Sequence, residues 1–434
     1  MITYIRSYQW RSRVESIYIH GGIALQGQVR IQGSKNAVLP VLAATVLIEG
    51  TSIIENCPRL LDVYHMQALL KSLGCVCLWD GEKLKVNAAG VDLVHALGGM
   101  PQDAAKGMRS SIILLGALLG RTREVRIEYP GGCVIGKRPV DIHIEALKKL
   151  NVQFEETMQG LYAYTDELRG TEIDLPIPSV GATENVILAA VLAEGTTVIR
   201  GAAREPEIVT LCDFLSACGA DITGSGSPTI IIRGVEKLRG TQFWVPGDRI
   251  VAGTYLCACM AAGGEVLLKE APVEQMQAVL HVAEQMGACC QQAKEGLYVQ
   301  MHKRPLALEK LVTLPYPGFP TDMQSAFLSV LTVAKGTCIV EENIFENRFH
   351  TVPYLQAMGA EVEQTDTHHV KVSGVEELHG FTVSARELRG GAALVVAGTA
   401  AKGETVVDGC RFIERGYENI CRDLRELGVR IYGV

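Results

Sequence analysis

Residues 179–199 read Ser-Val-Gly-Ala-Thr-Glu-Asn-Val-Ile-Leu-Ala-Ala-Val-Leu-Ala-Glu-Gly-Thr-Thr-Val-Ile. The apolar, small-residue run from Val186 to Ala193 has no polar face, so it predicts a helix buried on all sides. Gly195 turns the chain, and Thr196-Thr-Val-Ile199 is a strand. The same phrase recurs at 36–54, 109–127, 248–268, 322–340 and 389–407. A second helix follows each copy and ends in a phrase like Leu-Gly-Ala before another strand. Its marks are Leu73-Gly74, Leu150-Asn151, Cys218-Gly219, Met286-Gly287, Met358-Gly359 and Leu427-Gly428, at intervals of 77, 68, 68, 72 and 69 residues. The chain is six versions of one unit.

A further phrase, Ile-x-Ile-x-Gly-x-x-x-Leu-x-Gly, stands at 230–240, with Val for Ile at 370–380, and again at 17–27, ahead of the first helix. The sixth unit begins near Arg386 and has only 49 residues before the C-terminus. The hairpin it lacks is therefore expected from residues 17–33. The chain then passes between two lobes twice, with three units in each: 34–246 form one continuous lobe, and 1–33 plus 247–434 the other. Two crossing strands make a hinge, and closure of the lobes is expected.

A chain of 434 residues can bury a separate core in each lobe. Its thirteen cysteines, in patterns such as Cys75-Val-Cys77, Cys257-Ala-Cys259 and Cys289-Cys290, lack the spacing of zinc ligands. Most read as small core residues, and free thiols imply a reducing cytoplasm. Residues 1–16 carry Arg6, Arg11 and Arg13 but no apolar core of a signal peptide, and no later run is long enough to span a membrane. A net charge of −7 argues against a general nucleic-acid binder while allowing a local basic site for a small anion.

Polar residues gather where the apolar helices begin: Lys35 with Asn36, Arg109, Ser179 with Thr183 and Glu184, Asp248 with Arg249, Thr321 with Asp322, and Arg386 with Arg389. Equivalent positions in repeated units meet at equivalent places, so these residues are expected to converge on a cleft. Ser179 and Thr321 taken singly are ordinary caps. Lys35, Arg109 and Arg389 are not, because a cation at a helix N-terminus opposes the dipole unless an anion answers it.

One stretch has no helical or strand periodicity: Tyr129-Pro-Gly-Gly-Cys-Val-Ile-Gly-Lys-Arg-Pro-Val-Asp-Ile-His143. Gly131, Gly132 and Gly136 suit a mobile loop with Cys133 near its tip, and Lys137 and Arg138 favour the thiolate. A cysteine buried in a turn is the plainer alternative.

Several long segments then match one family: Gly33-Ser-Lys-Asn-Ala-Val-Leu-Pro40, the 130–143 loop, Ser179-Val-Gly-Ala-Thr-Glu-Asn185, Ala203-Arg-Glu-Pro-Glu-Ile208, Pro320-Thr-Asp-Met-Gln324, Ile344-Phe-Glu-Asn-Arg-Phe349 and Arg415-Gly-Tyr-Glu418. From about Ile17 to Val434 the chain resembles the UDP-N-acetylglucosamine 1-carboxyvinyltransferases, EPSP synthase-like enolpyruvyl transferases of peptidoglycan synthesis. Residues 1–16, outside the resemblance, read as a tail or as the product of an upstream start codon. The resemblance implies an α/β fold, a two-lobed inside-out α/β barrel with three βαβαββ units per lobe, helices inside and sheets outside. It implies transfer of enolpyruvate from phosphoenolpyruvate to the 3′-hydroxyl of UDP-N-acetylglucosamine with release of phosphate, in the bacterial cytoplasm, with no metal or organic cofactor.

Site roles follow from the same resemblance. Cys133 matches the proton donor to the methylene carbon, the residue that carries a phospholactoyl adduct and is the target of the epoxide fosfomycin. Such a general acid is worth roughly 10²–10⁴ in rate. Lys35, Asn36, Arg138 and Arg415 match positions at phosphoenolpyruvate. Asp322 matches the carboxylate beside the sugar hydroxyl, as base or as orienting group. For the nucleotide sugar the matches are Asn36, Arg109, Arg138, Pro139, Val140, Asp141, Ile142, His143, Pro178, Ser179, Val180, Gly181, Asp322, Ile344 and Arg389. The chain departs from the family's Asp-Leu-Arg-Ala-Ser with Glu387-Leu-Arg-Gly-Gly391, which is expected to loosen the hold on Arg389.

Two other readings differ in what they need. The sister enzyme acting on shikimate 3-phosphate lacks the Cys133 loop. A nucleotide-sugar sensor without turnover has no need of Cys133, Asp322 or Arg415, and all three are present.

Overall fold

The computed structural model describes residues 14–98, 109–127, 140–157 and 160–434. Its architecture is the six-fold repetition made physical, and the second helix of each unit shows how. A helix needs its last carbonyls satisfied, and a residue in the left-handed region just past the end allows it. Gly74, Gly219, Gly287, Gly359 and Gly428 all take φ between 87° and 104°, and Asn151 takes 71° in the second unit. In every unit the following amide then reaches back to the same carbonyl: Cys75 to Leu70, Val152 to Leu147, Ala220 to Leu215, Ala288 to Ala283, Ala360 to Leu355 and Val429 to Leu424. The turn after the first helix repeats as well. It uses a positive-φ glycine in five units and Arg123, at φ 65°, in the second.

Each of the first five units contributes a hairpin and a strand to one sheet. In the first, Thr51–Glu55 pairs antiparallel with Lys83–Asn87, which pairs with Val76–Asp80. The third, fourth and fifth units repeat this order, and the second has Glu124–Ile127, Gly160–Tyr164 and Gln153–Thr157 in a three-stranded sheet. A short strand from another unit adds in parallel to the edge: Glu172–Asp174 beside Thr196–Arg200, Lys310–Val312 beside Thr337–Glu341, Thr382–Ser384 beside Glu404–Asp408, and Gln242–Trp244 beside Thr51–Glu55. The six sheets stay separate, and none closes on itself among the described residues.

Residues 17–33 do not form the expected hairpin. Ser16–His20 enters the sixth sheet between Glu404–Asp408 and Arg430–Gly433, antiparallel to both. Leu25–Arg30 leaves that sheet and lies parallel to Gly264–Lys269 in the fourth. The repeated phrase is thus a strand followed by a crossover to another sheet, as at 230–244, where Thr229–Arg233 stays in the third sheet and Gln242–Trp244 joins the first. Gly21 and Gly234 let these crossovers pass: a Cβ on either would meet backbone oxygens, of Gly398 and Ala193 respectively.

Contacts divide the chain into two compact units. One is Gln32–Asp248 with Pro315–Pro317; the other is the described chain up to Ile31 with Arg249–Leu314 and Gly318–Val434. Each has its own apolar core. In the first, the helices Lys35–Ala44, Leu114–Thr122 and Val180–Ala190 are buried; in the second, Arg249–Ala262, Thr321–Leu331 and Leu388–Ala400 pack mutually. Apolar residues dominate these helices all round, and Lys35, Ser179, Asp322 and Arg389 sit at their starts.

Candidate active site

In the unit Gln32–Asp248, Lys35 opens the helix Lys35–Ala44. Ser34 caps that helix through the Ala37 amide at 3.3 Å, and the Lys35 amide donates to Asp248 Oδ2 at 3.0 Å. The Lys35 ammonium lies 3.3 Å from Asp62 Oδ2, a carboxylate that is 1% exposed. The anions that answer this cation therefore include the protein's own carboxylates. Asn36 is half-buried in the same first turn.

Two further helix starts in this unit come together. Val140 precedes the helix Asp141–Lys149, with Asp141 exposed, Ile142 half-buried and His143 buried. Ser179 caps Val180–Ala190 through the Ala182 amide at 3.3 Å; Pro178 is exposed and Val180 and Gly181 are half-buried. Asn185 bridges the two starts, with Nδ2 2.9 Å from His143 Nδ1 and 3.3 Å from the Gly181 carbonyl. Arg109 begins the 3-10 segment Arg109–Ile113. Cys133, Arg138 and Pro139 lie outside the described residues, as do residues 1–13.

In the other unit, Asp322 sits in the first turn of Thr321–Leu331 and binds two guanidiniums. Its Oδ1 is 2.6 Å from Arg348 Nη2 and its Oδ2 is 2.9 Å from Arg389 Nη2. Arg348 is 3% exposed and Arg389 5%. Glu387 caps Leu388–Ala400 by accepting the amides of Arg389, at 2.8 Å, and Gly390. Glu342, fully buried, accepts the Ile344 and Phe345 amides at 2.9 and 3.0 Å and the Thr321 hydroxyl at 2.9 Å. The Thr321 hydroxyl in turn accepts from Arg348 Nε at 3.3 Å. Ile344 and Asp322 thus belong to one network. Arg415 ends the segment Cys410–Arg415, half-buried, beside the Leu388–Ala400 helix.

This arrangement holds Asp322 as a fixed acceptor. A hydroxyl can donate to a remaining lone pair, whereas taking up a proton would weaken two charge-assisted bonds. The geometry therefore favours orientation over proton abstraction. The expected loosening at Arg389 is not seen, because Glu387 keeps the cap and the arginine is buried and paired. Arg348 and Glu342 escaped the sequence reading. Arg348 stands inside the quoted 344–349 motif, but no helix start drew attention to it; Glu342 reads as the end of a strand.

A family model for EPSP synthase (3-phosphoshikimate 1-carboxyvinyltransferase) matches residues 19–424. The chain is 46% identical over 413 residues to UDP-N-acetylglucosamine 1-carboxyvinyltransferase 2 of Caldanaerobacter subterraneus subsp. tengcongensis, covering 95% of this chain and 98% of the relative. It is 42% identical over 418 residues to the UDP-N-acetylglucosamine 1-carboxyvinyltransferase of Nitratidesulfovibrio vulgaris, covering 96% and 99%. Among solved structures, the enolpyruvyl transferase NikO from Streptomyces tendae superposes with a TM-score of 0.85 at 24% identity, covering 96% of this chain and 99% of that one. EPSP synthase from Acinetobacter baumannii superposes at 0.74 and 17%, with the same coverage, and both share the fold. The chain belongs to the EPSP synthase family, whose members share this repeated two-unit architecture. Within it the chain falls among the UDP-N-acetylglucosamine 1-carboxyvinyltransferases, and it is an enolpyruvyl transferase.

Proposed function

We propose that this enzyme transfers the enolpyruvyl group of phosphoenolpyruvate to the 3′-hydroxyl of UDP-N-acetylglucosamine and releases phosphate, as the first committed step of peptidoglycan synthesis in the bacterial cytoplasm. The observation that carries the reading is the 46% identity, over 95% of the chain, to a relative named for that reaction. Asp322 held between Arg348 and Arg389 supports it, because the acceptor hydroxyl must be aimed at a carbon that becomes cationic.

In this reading Cys133 delivers a proton to the methylene carbon, which leaves oxocarbenium character at C2. The sugar oxygen bonds to C2 and gives up its proton. Loss of a proton from the new methyl group and departure of phosphate then restore the double bond. Lys35, Arg138 and Arg415 hold the donor's phosphate and carboxylate, the arginines in bidentate fashion. Asn36 stands beside Lys35. Asp322 orients the hydroxyl, and Arg109, the 138–143 stretch, the 178–181 turn, Ile344 and Arg389 receive the nucleotide sugar.

The test is phosphate release from phosphoenolpyruvate with either UDP-N-acetylglucosamine or shikimate 3-phosphate as acceptor. Release with the nucleotide sugar alone, lost in Cys133→Ala, is the expected result. Release with shikimate 3-phosphate would assign the sister activity, and release with neither would leave a binding protein.

A further inference from the structure

Asn185 is fully buried in the helix Val180–Ala190, and its partners fix which way its amide points. The Gly116 amide can only donate, and it meets Oδ1 at 2.6 Å. The Ile112 and Gly181 carbonyls can only accept, and they lie 3.1 and 3.3 Å from Nδ2. The same Nδ2 stands 2.9 Å from His143 Nδ1. The amide has two hydrogens for these three acceptors, and the two shorter contacts, to His143 Nδ1 at 2.9 Å and the Ile112 carbonyl at 3.1 Å, take them. Because the amide nitrogen donates and does not accept, His143 Nδ1 is the acceptor and carries no proton. Gly181 adds an independent constraint on the ring. A Cβ there would stand 2.9 Å from His143 Cε1 and 3.3 Å from Nε2, so the Cε1–Nε2 edge lies against the first turn of the helix.

We propose that Asn185 is a positioning residue that locks His143 as the neutral tautomer with its proton on Nε2. The ring then offers a hydrogen-bond donor at the start of Val180–Ala190, suited to an acceptor oxygen of the nucleotide sugar. An Nδ1-protonated ring or an imidazolium would set N–H against N–H at Asn185. The purpose of the lock rests on the reading of His143 as a residue that meets the nucleotide sugar; the tautomer itself does not.

The experiment uses the full chain labelled with ¹⁵N-histidine, with His143 assigned by its loss in His143→Gln. Long-range proton–nitrogen spectra of the wild type at pH 7 are expected to show an unprotonated Nδ1 and a protonated Nε2. A protonated Nδ1 overturns the proposal, and this measurement decides it even if Asn185→Asp fails to fold. Asn185→Asp puts an oxygen where Nδ2 stood. It is expected to move the proton of His143 to Nδ1 or add one there, and to raise KM for UDP-N-acetylglucosamine about tenfold with kcat within about twofold. An unchanged KM in Asn185→Asp, where His143→Gln raises it, overturns the positioning role. An unchanged KM in both removes His143 from the nucleotide-sugar site, and the lock loses its purpose.

Discussion

Among single residues, the cysteines show how burial makes thiols inert. Of the twelve among the described residues, ten are buried, Cys290 is half-buried and Cys289 exposed. Burial pushes the thiols of Cys75, Cys212, Cys218, Cys259, Cys290, Cys338 and Cys410 up to about 12, and those of Cys77 and Cys421 up to about 11. Thiolate, the nucleophile, is then scarce near neutral pH. Fosfomycin is expected to modify Cys133 alone, while iodoacetamide at pH 8 reaches Cys133 and Cys289. Peptide mapping that finds the epoxide elsewhere would remove Cys133 from its proposed role. Burial acts the same way on the Glu184 carboxyl. At 4% exposure its carboxyl is raised well above the ordinary 4.5, by desolvation first and then by Glu207 and Glu205. Below about pH 4.5 the group is neutral folded and unfolded, so its share of stability is complete there. As pH rises through the folded value, the unfolded chain has already lost its proton, and stability falls. Glu184→Gln should therefore gain in melting temperature over the wild type between pH 4.5 and pH 8; a gap that does not grow would mean that the carboxyl ionises without cost. The 320–324 and 344–349 motifs led directly to Asp322 and Ile344. The two-arginine clasp did not follow from them, since Arg348 and Arg389 are 41 positions apart and only folding brings both to one carboxylate.

The start of the helix Leu388–Ala400 is the element where sequence and packing pull apart. Glycine within a helix costs about 1 kcal/mol relative to alanine, which made Gly390-Gly391 look like a weakness. In the folded chain, a Cβ on Gly391 would stand 2.8 Å from the Ala385 Cβ and 2.9 Å from Ile413 Cγ1, with no flexible end to give way. Propensity says that Gly391→Ala stabilises; overpacking says that it destabilises by about 1–3 kcal/mol. Overpacking should win, because the Ala385 methyl is fixed to its backbone. Urea unfolding of the variant decides, and a gain in stability would restore the propensity argument. The helix-ending turns, by contrast, were fully legible: the six marks at the ends of the second helices became six left-handed residues with one hydrogen-bond pattern, with Asn151 taking the place of glycine. Such local turns depend on a backbone angle that few residues accept, so the sequence must show them.

For the molecule as a whole, the N-terminal strand shows how far apart in sequence a fold can place neighbours. Ser16–His20 is a central strand of the sixth sheet, with Ile17 and Ile19 2% and 0% exposed. Chain ends usually fray and tolerate change. Ile19→Ala is nevertheless expected to cost about 2–4 kcal/mol, as for a mid-core site, and equilibrium urea unfolding measures it. A cost of a few tenths would mean that the strand is dispensable. The sequence by itself determined the repeat count, the α/β class, the apolar helices and the helix starts that carry Lys35, Asp322 and Arg389. These follow from periodicity, from turn residues and from the exclusion of charge from buried helices, all of which are local. Tertiary structure alone decided that residues 17–33 divide between two sheets, that Asp62 and Arg348 partner Lys35 and Asp322, and that Asn185 grips His143. Each of those depends on groups brought together by pairing and packing, and nothing in local sequence specifies which distant partner will arrive.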